Sequence, residues 1–256
     1  GLDEVTMEQQ VFDEASNHIP YQMDEVSLDF EELGPIPNTD SVQVMIAAAR
    51  TENVEARQAA LEYAGLTAKV VDVEVFAVEN AFKLISSQLV LPAGGLTAIV
   101  DIGANLTTLN IIKDGRSVYS RDQVFGGKQL SDEIMRRYGL SFNEAGAAKK
   151  LGGLPESYES EVLEPFKEGV APHTPSRLQF FYSGSDYSRV DQIVLAGGCA
   201  AINGMDQVVE QHLGVGTVVA NPIASMTVSP RVQAHALAAD AQALLIACGL
   251  ALRSFD

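Results

Sequence analysis

The residues with the clearest chemical potential are an acid at a strand end and the small and hydroxylic residues that follow it. Leu96 to Asp101 is an apolar run ending in the acid, and Leu106 to Ile112 reads as a second strand. Gly103, Ala104 and Asn105 lie between them, and Thr107 and Thr108 sit at the start of the second strand. A carboxylate in that position needs a partner if it is buried, and a hydrated Mg²⁺ ion is a natural one. Gly103 lets the main chain turn and bring its N–H groups close to a phosphate, to which the threonines can also donate. A plain β-hairpin with an Asx-type turn explains the same string, so the pattern alone does not decide.

A second string, Ile193 to Ala196 followed by Gly197, Gly198 and Cys199, reads as an apolar strand that opens a helix around Ile202 to Leu213. Two glycines let the main chain lie flat against a ring or a phosphate, and a helix N-terminus favours negative charge. A tight strand-to-helix turn, common in α/β proteins, is the alternative. Between the two strings, Gly126 and Gly127 precede another helix. The spaced set is a stronger signal than any one of its members.

Alternating strands and helices must hold these strings. Gly1 to Pro20 reads as an acidic amphipathic helix. Val26 to Phe30 and Ser41 to Ala48 read as strands around a proline-containing loop, and Asn53 to Ala64 as an alanine-rich helix. Ala68 to Val73 reads as a strand and Val75 to Leu89 as an amphipathic helix. After the break at Pro92 to Gly95 come the two strands above, a turn at Asp114-Gly115 and a third strand, Ser117 to Val124. Helices follow at Gln129 to Tyr138 and Asn143 to Leu151. Pro172 and Pro175 are expected to break the next stretch into helical pieces, Glu159 to Glu168 and Ser176 to Tyr182. Val218-Val219 is a short strand, and Gln233 to Leu252 reads as one long apolar helix, with Ala243, Ala247 and Ala251 as its close-packing stripe. The pattern is that of an α/β protein.

Composition narrows the function. Against 34 acidic residues stand 17 basic ones, a net charge of -17. Such a surface repels phosphate backbones and anionic headgroups, which excludes general nucleic-acid binding and direct membrane adhesion. It leaves basic protein segments as partners, although acidity also serves simply to keep a protein soluble. Cys199 and Cys248 stand in small apolar surroundings, as buried hydrophobes rather than a disulfide. His18, His173, His212 and His235 are scattered, with no ligand spacing, so no zinc site is expected. No apolar stretch approaches the roughly 18–20 residues of a membrane span, and no signal peptide is recognised. Direct membrane insertion is therefore not expected.

The spaced set resembles the phosphate-2 and adenosine motifs of the superfamily of actin, heat-shock chaperones and sugar kinases. Within it, the sequence is similar to the PilM family of type IV pilus assembly proteins. His18-Ile19-Pro20-Tyr21, Asp24-Glu25-Val26, Ala64 to Ala68 and Val70 to Glu74 carry the likeness. So do Asp101 to Ala104, Phe125-Gly126-Gly127, Leu178 to Tyr182, Leu195 to Gly198 and Gly249 to Arg253.

The resemblance implies an actin-like (ribonuclease H-like) ATPase fold, two lobes around a nucleotide cleft, with a subdomain IC of the PilM and FtsA type. It divides the chain into the remainder of subdomain IC (1–66), part of IA (67–93), and the first part of IIA (94–128). Subdomain IIB (129–188), the rest of IIA (189–232) and a second connecting helix (233–256) follow. The implied cofactors are ATP and Mg²⁺, with Asp101 holding the metal through water. Gly103, Ala104, Asn105, Thr107 and Thr108 would surround the phosphates and Gly197 and Gly198 would back the adenosine. Gly126, Gly127, Lys149 and Cys199 join them as cofactor-binding residues. Glu74 falls where relatives place a water-positioning residue, and it reads equally well as a solvated acid at a helix start. The implied partners are the N-terminal tail of the inner-membrane protein PilN and other inner-membrane and motor components of the pilus. The implied place is the cytoplasm, at the inner membrane through PilN.

Three features depart from that family. Its first phosphate hairpin has no counterpart before Asp101, so a chain lacking most of subdomain IA and part of IC is expected. Gly146 stands where relatives carry a Glu, three residues before Lys149. Pro172 and Pro175 interrupt a stretch that relatives run as one helix. The expected role is an ATP-binding scaffold with little or no turnover. A small-molecule kinase or phosphatase of the superfamily would need a further base, which no motif supplies. A filament former like FtsA would carry an amphipathic membrane helix after the core helix, which is not found here.

Overall fold

The computed structural model describes residues 4–253, except for the side chains of residue 4 and residues 171–177. The first three residues of the expected N-terminal helix and the last three of the chain lie outside the described residues. The chain divides into two compact units, Gly1–Val73 and Glu74–Asp256.

In the first unit, α1 (Glu4–His18) is followed by β1 (Val26–Pro35), β2 (Val42–Arg50) and α2 (Thr51–Tyr63). β1 and β2 form an antiparallel two-stranded sheet in which Phe30 pairs with Ile46 and Leu28 with Ala48. Asn38, at φ 63°, sits in the loop between them, where its short polar side chain tolerates a left-handed backbone. The expected strand Ala68 to Val73 is not formed. Its valines, Val70, Val71 and Val73, are exposed, and among the described residues no neighbouring strand offers a hydrogen-bonding ladder.

The second unit is built on a five-stranded sheet. Its strands are β3 (Leu96–Ile102), β4 (Thr107–Lys113), β5 (Arg116–Gln123), β6 (Gln192–Ala196) and β7 (Thr217–Val219), in the order β5-β4-β3-β6-β7. β3 runs antiparallel to β4 and parallel to β6. Six of the seven β3 residues are fully buried, as expected for a central strand covered on both faces. On one face Val100, Ile102, Ile111 and Leu195 pack with Leu130 and Ile134 of α4 (Gly127–Tyr138) and Ala145 of α5 (Phe142–Leu151). Buried residues of α6 (Glu164–Ser183) and α7 (Met205–Leu213) complete that layer. On the other face Ile99, Ile112 and Val194 pack with Val78, Ala81 and Ile85 of α3 (Glu74–Ile85) and Leu245 of α9 (Leu245–Ala251).

Two sequence expectations are corrected here. α6 runs without a break through Pro172 and Pro175. Each proline forfeits a backbone hydrogen bond, at a cost of about 3 kcal/mol in an isolated helix. Burial of Phe166 and Val170 before them and of Leu178 and Phe181 after them offsets that cost.

The C-terminal helix, by contrast, is broken. α8 (Ala234–Ala239) ends at Asp240, a 3₁₀ turn spans Ala241–Leu244, and α9 begins at Leu245. The carbonyl of Gln242 turns away from the helix ladder to accept the N–H of Gly197 at 2.9 Å. The close-packing stripe is also offset: Ala243, Ala247 and Ala251 are exposed, while Ala241, Leu245 and Gly249 are buried.

Candidate functional site

The site forms where two adjacent parallel strands end. Asp101, the penultimate residue of β3, lies beside Ala196 at the end of β6 and opposite Thr108 on β4. Crevices outside the carboxyl ends of parallel strands are the usual ligand sites of open α/β sheets. The loops after β3 and β6 are thus brought side by side by the register of the sheet.

Glycine makes that proximity possible at two points. Gly197 takes φ +82°, and a Cβ there would collide with the Asp101 carboxylate and the Ile102 carbonyl. A Cβ on Gly126 would lie 2.6 Å from the carbonyls of both Gly103 and Ala104. Gly198, in contrast, is exposed with open space around its α-carbon. It follows β6 in a short 3₁₀ turn, Gly198–Ala201, and the long helix α7 begins only at Met205. The expectation that the paired glycines open that helix is corrected accordingly.

The segment Gly126-Gly127 closes over the β3–β4 loop. The N–H groups of Gly127 and Lys128 donate to the carbonyls of Gly103 (2.9 Å) and Ala104 (2.8 Å), and the Gly126 N–H donates to the Gln129 side-chain carbonyl (2.8 Å). These donors at the start of α4 are therefore already used to shape the loop. Lys149, on α5, donates to the Gly127 carbonyl at 3.0 Å and the Ser131 hydroxyl at 2.8 Å. The buried Cys199 thiol donates weakly to the Gly103 carbonyl at 3.8 Å. Burial pushes that thiol up, the Lys149 ammonium draws it down and Asp101 raises it again. Thr107 is 2 % exposed and its hydroxyl donates to the Phe125 carbonyl at 2.9 Å, so it fastens the loop from behind. The Thr108 hydroxyl donates to Asp122 at 2.8 Å.

Free main-chain donors remain on the open side. Among the described residues, the N–H groups of Ala104, Asn105 and Gly198 have no hydrogen-bond acceptor. Ala104, Asn105 and Gly198 are all exposed. The Asp101 carboxylate, which lies against Gly197, has no hydrogen bond or ion pair among the described residues. Burial and then the nearby Glu74 carboxylate push its pKa up from 3.8 to about 6. Glu74, in the first turn of α3, is raised in turn by burial and by Asp122. The site therefore combines a desolvated carboxylate, two further acids and free N–H donors, which suits a phosphate brought in with its own divalent cation. Among the described residues no three His, Cys, Asp or Glu side chains are arranged to hold a metal without such help.

The structure thus brings Glu74, Asp101, Gly103, Ala104, Asn105, Thr108, Gly126, Gly127, Lys149, Gly197, Gly198 and Cys199 into one neighbourhood, with Thr107 behind it. Sequence reasoning missed Asp122, Ser131 and the Gln242 carbonyl. Asp122 was within reach: pairing β4 with β5 places it opposite Thr108, on the face that carries Asp101. The other two depend on contacts between segments far apart in the chain.

Lys149→Met is expected to destabilise the second unit by about 1–3 kcal/mol, because the Gly127 carbonyl and Ser131 hydroxyl lose a charged donor. Urea denaturation checks this. Unchanged stability would return the lysine to the list of ligand contacts.

A family model described as type IV pilus assembly protein PilM matches residues 1–255. Among solved structures, the chain is similar to one in a PilM-PilN type IV pilus biogenesis complex, at 29% identity and a TM-score of 0.78. That match covers 99% of this chain and 73% of the other. It is also similar to the ethanolamine utilization protein EutJ from Carboxydothermus hydrogenoformans, at 22% identity and TM-score 0.56 over 80% of this chain and 62% of that one. MreB 5 of Spiroplasma citri, solved with AMPPNP, matches at 19% identity and TM-score 0.50 over 80% of this chain and 64% of the other. At these identities EutJ and MreB speak to the fold alone, which is actin-like.

Proposed function

The chain belongs to the family of type IV pilus assembly protein PilM, and from that membership we propose that it is a nucleotide-binding scaffold of the pilus assembly platform whose partner is the PilN tail. The similar PilM chain was solved in complex with PilN, which supports the choice of partner. Among the described residues no helix is long and apolar enough to cross a membrane. In this reading the protein works in the cytoplasm and is held at the inner membrane through PilN, alongside other platform and motor components. Residues 1–66 belong to subdomain IC, 67–93 to IA, 94–128 and 189–232 to IIA, and 129–188 to IIB, and 233–256 make up the connection that returns to IA.

One observation carries the nucleotide part: Asp101 stands desolvated at the ends of β3 and β6, among the described residues without a protein cation, near main-chain donors of Ala104, Asn105 and Gly198 that have no acceptor there. When bound, Mg-ATP supplies the positive charge that this carboxylate lacks. Asp101 would hold the hydrated metal, with Glu74 and Asp122 adding negative charge around its water shell. The loop from Gly103 to Asn105 would bind phosphate oxygens through the main chain, while Gly197 and Gly198 leave room for the nucleoside. Thr107, Gly126, Gly127 and Lys149 act behind that surface by holding the loop in shape. The groups in hand bind and orient.

Calorimetric titration tests the reading with Mg-ATP and a PilN tail peptide, added separately and in sequence. The expected result is binding of each, with nucleotide tightening the peptide by at least about fivefold. Peptide affinity indifferent to nucleotide would remove the coupling, and no peptide binding would remove the scaffold role.

A further inference from the structure

Two segments far apart in the chain meet beside the turn that follows β6. One is the end of α5. Lys149 there reaches the Gly127 carbonyl, and a Cβ on Gly127 would lie 2.8 Å from the Cys199 sulfur. The other is the break between α8 and α9, where the Gln242 carbonyl holds the Gly197 N–H. Residues next to these contacts pair with each other: Lys150 Nζ stands 3.5 Å from a carboxylate oxygen of Asp240. The pair closes a ring of contacts that leaves Gly197, crosses the Ala241–Leu244 turn and α5, and returns at Cys199. Gly198 lies between those two ends, exposed and with open space around its α-carbon. Among the described residues neither the Lys150 nor the Asp240 side chain has another hydrogen bond or ion pair.

We propose that the Lys150–Asp240 pair is a strap across the nucleoside side of the site, opening to admit or release nucleotide and closing behind it. The proposal rests on the nucleotide reading and adds a control of exchange to it. The two side chains are 75% and 58% exposed, so water and salt compete for each charge. An exposed pair of this kind shifts an equilibrium by no more than about fivefold, which suits a barrier that opens often. The backbone beneath Asp240 stays in place when the pair opens. Ala241 and Gln242 are buried, and the Gln242 carbonyl remains bonded to Gly197. Only two side chains need to swing, and exposed side chains rotate far faster than a nucleotide exchanges. The strap therefore scales association and dissociation alike, by the fraction of time it is open, and leaves the shape of the site unchanged.

Stopped-flow fluorescence tests this on the whole chain, with Mg²⁺ and an ATP that carries an N-methylanthraniloyl label. Lys150→Met and Asp240→Asn should each speed association and dissociation by about two- to fivefold and leave Kd within about twofold. General electrostatic steering predicts otherwise. The two variants change net charge in opposite senses, so steering would slow association in one and speed it in the other. The exchanged pair, Lys150→Asp with Asp240→Lys, restores the bridge at unchanged net charge and should bring both rates back toward wild type. Opposite shifts in the single variants, rates equal to wild type, or no recovery in the exchanged pair would overturn the strap. So would a loss of affinity in step with the dissociation rate, which marks a direct contact with the ligand. Absence of saturable binding in wild type ends the nucleotide reading and the strap together. Saturable binding with any of the other adverse results ends the strap alone.

Discussion

Gly249→Ala is expected to destabilise the second unit by about 3 kcal/mol or more, at the upper end of overpacking costs. A Cβ at this position would fall almost onto the carbonyl oxygen of Ala77, and its neighbours there are main-chain atoms of α3 rather than a flexible side chain. Neither helix can yield alone. Ala77 and Val78 are fully buried against the sheet, and Leu245 locks α9 into the same core. Relief requires the helices to move apart, which opens space around Val78, Ala81 and Leu245 and forfeits their dispersion contacts. For a chain of this length the melting temperature should fall by about 6–12 °C. Gly146→Ala is the control. It lies within α5 with nothing near its α-carbon, so alanine should gain up to about 1 kcal/mol from helix propensity. Similar stabilities for the two variants would mean that the α3–α9 crossing is not close in solution.

Asp101→Asn is expected to act with opposite signs on stability and on binding. In the folded protein burial and Glu74 hold the Asp101 pKa at about 6, above its ordinary 3.8. Because the folded value is raised, ionisation opposes folding. The penalty is absent below about pH 4, where both states are protonated, and grows as the pH rises. It is complete above about pH 6–7, where it reaches about 3 kcal/mol at 1.36 kcal/mol per tenfold change in proton affinity. Asparagine keeps the shape and removes the charge. Without nucleotide, the variant should be more stable than wild type at neutral pH by an amount approaching that figure. The advantage should vanish on acidification to about pH 4. In Mg-ATP the order should change, because wild type recovers its penalty through the cation whereas the variant binds at least about tenfold more weakly. Urea denaturation across that pH range, with and without Mg-ATP, checks both halves. A variant no more stable than wild type at pH 7 would show that Asp101 has a partner in solution. Unchanged nucleotide affinity would remove the carboxylate from the site.

Both predictions depend on features that were only partly legible in the sequence. The acid-tipped strand and the paired glycines stood out as strings because each is local: an apolar run, an acid, and residues that free the backbone. That they meet followed from β3 and β6 lying side by side and parallel, which neither string states. The glycine pair before α4 was recognised, but its N–H groups proved to be engaged by the Gly103 and Ala104 carbonyls. The lysine on α5 was recognised too, and it reaches the Gly127 carbonyl and Ser131. In the last helices the presence of small residues was readable, but not which of them would face α3. A break at Asp240 shifted the buried stripe to Ala241, Leu245 and Gly249. The two prolines in α6 misled in the opposite direction, because propensity counts a lost hydrogen bond and cannot count the buried residues on either side.

The sequence by itself determined the α/β character, the central strands and most of the helices around them, the acidic surface and the strings that mark the family. Each of these is written within a few neighbouring residues. Only the tertiary structure decided that Asp101 has no cation among the described residues, that Glu74 and Asp122 lie near it, and that Gly249 meets the main chain of Ala77. Such facts concern which groups are near one another in space. Sheet register and helix crossing set those distances, and both arise from the packing of the whole core rather than from any local pattern.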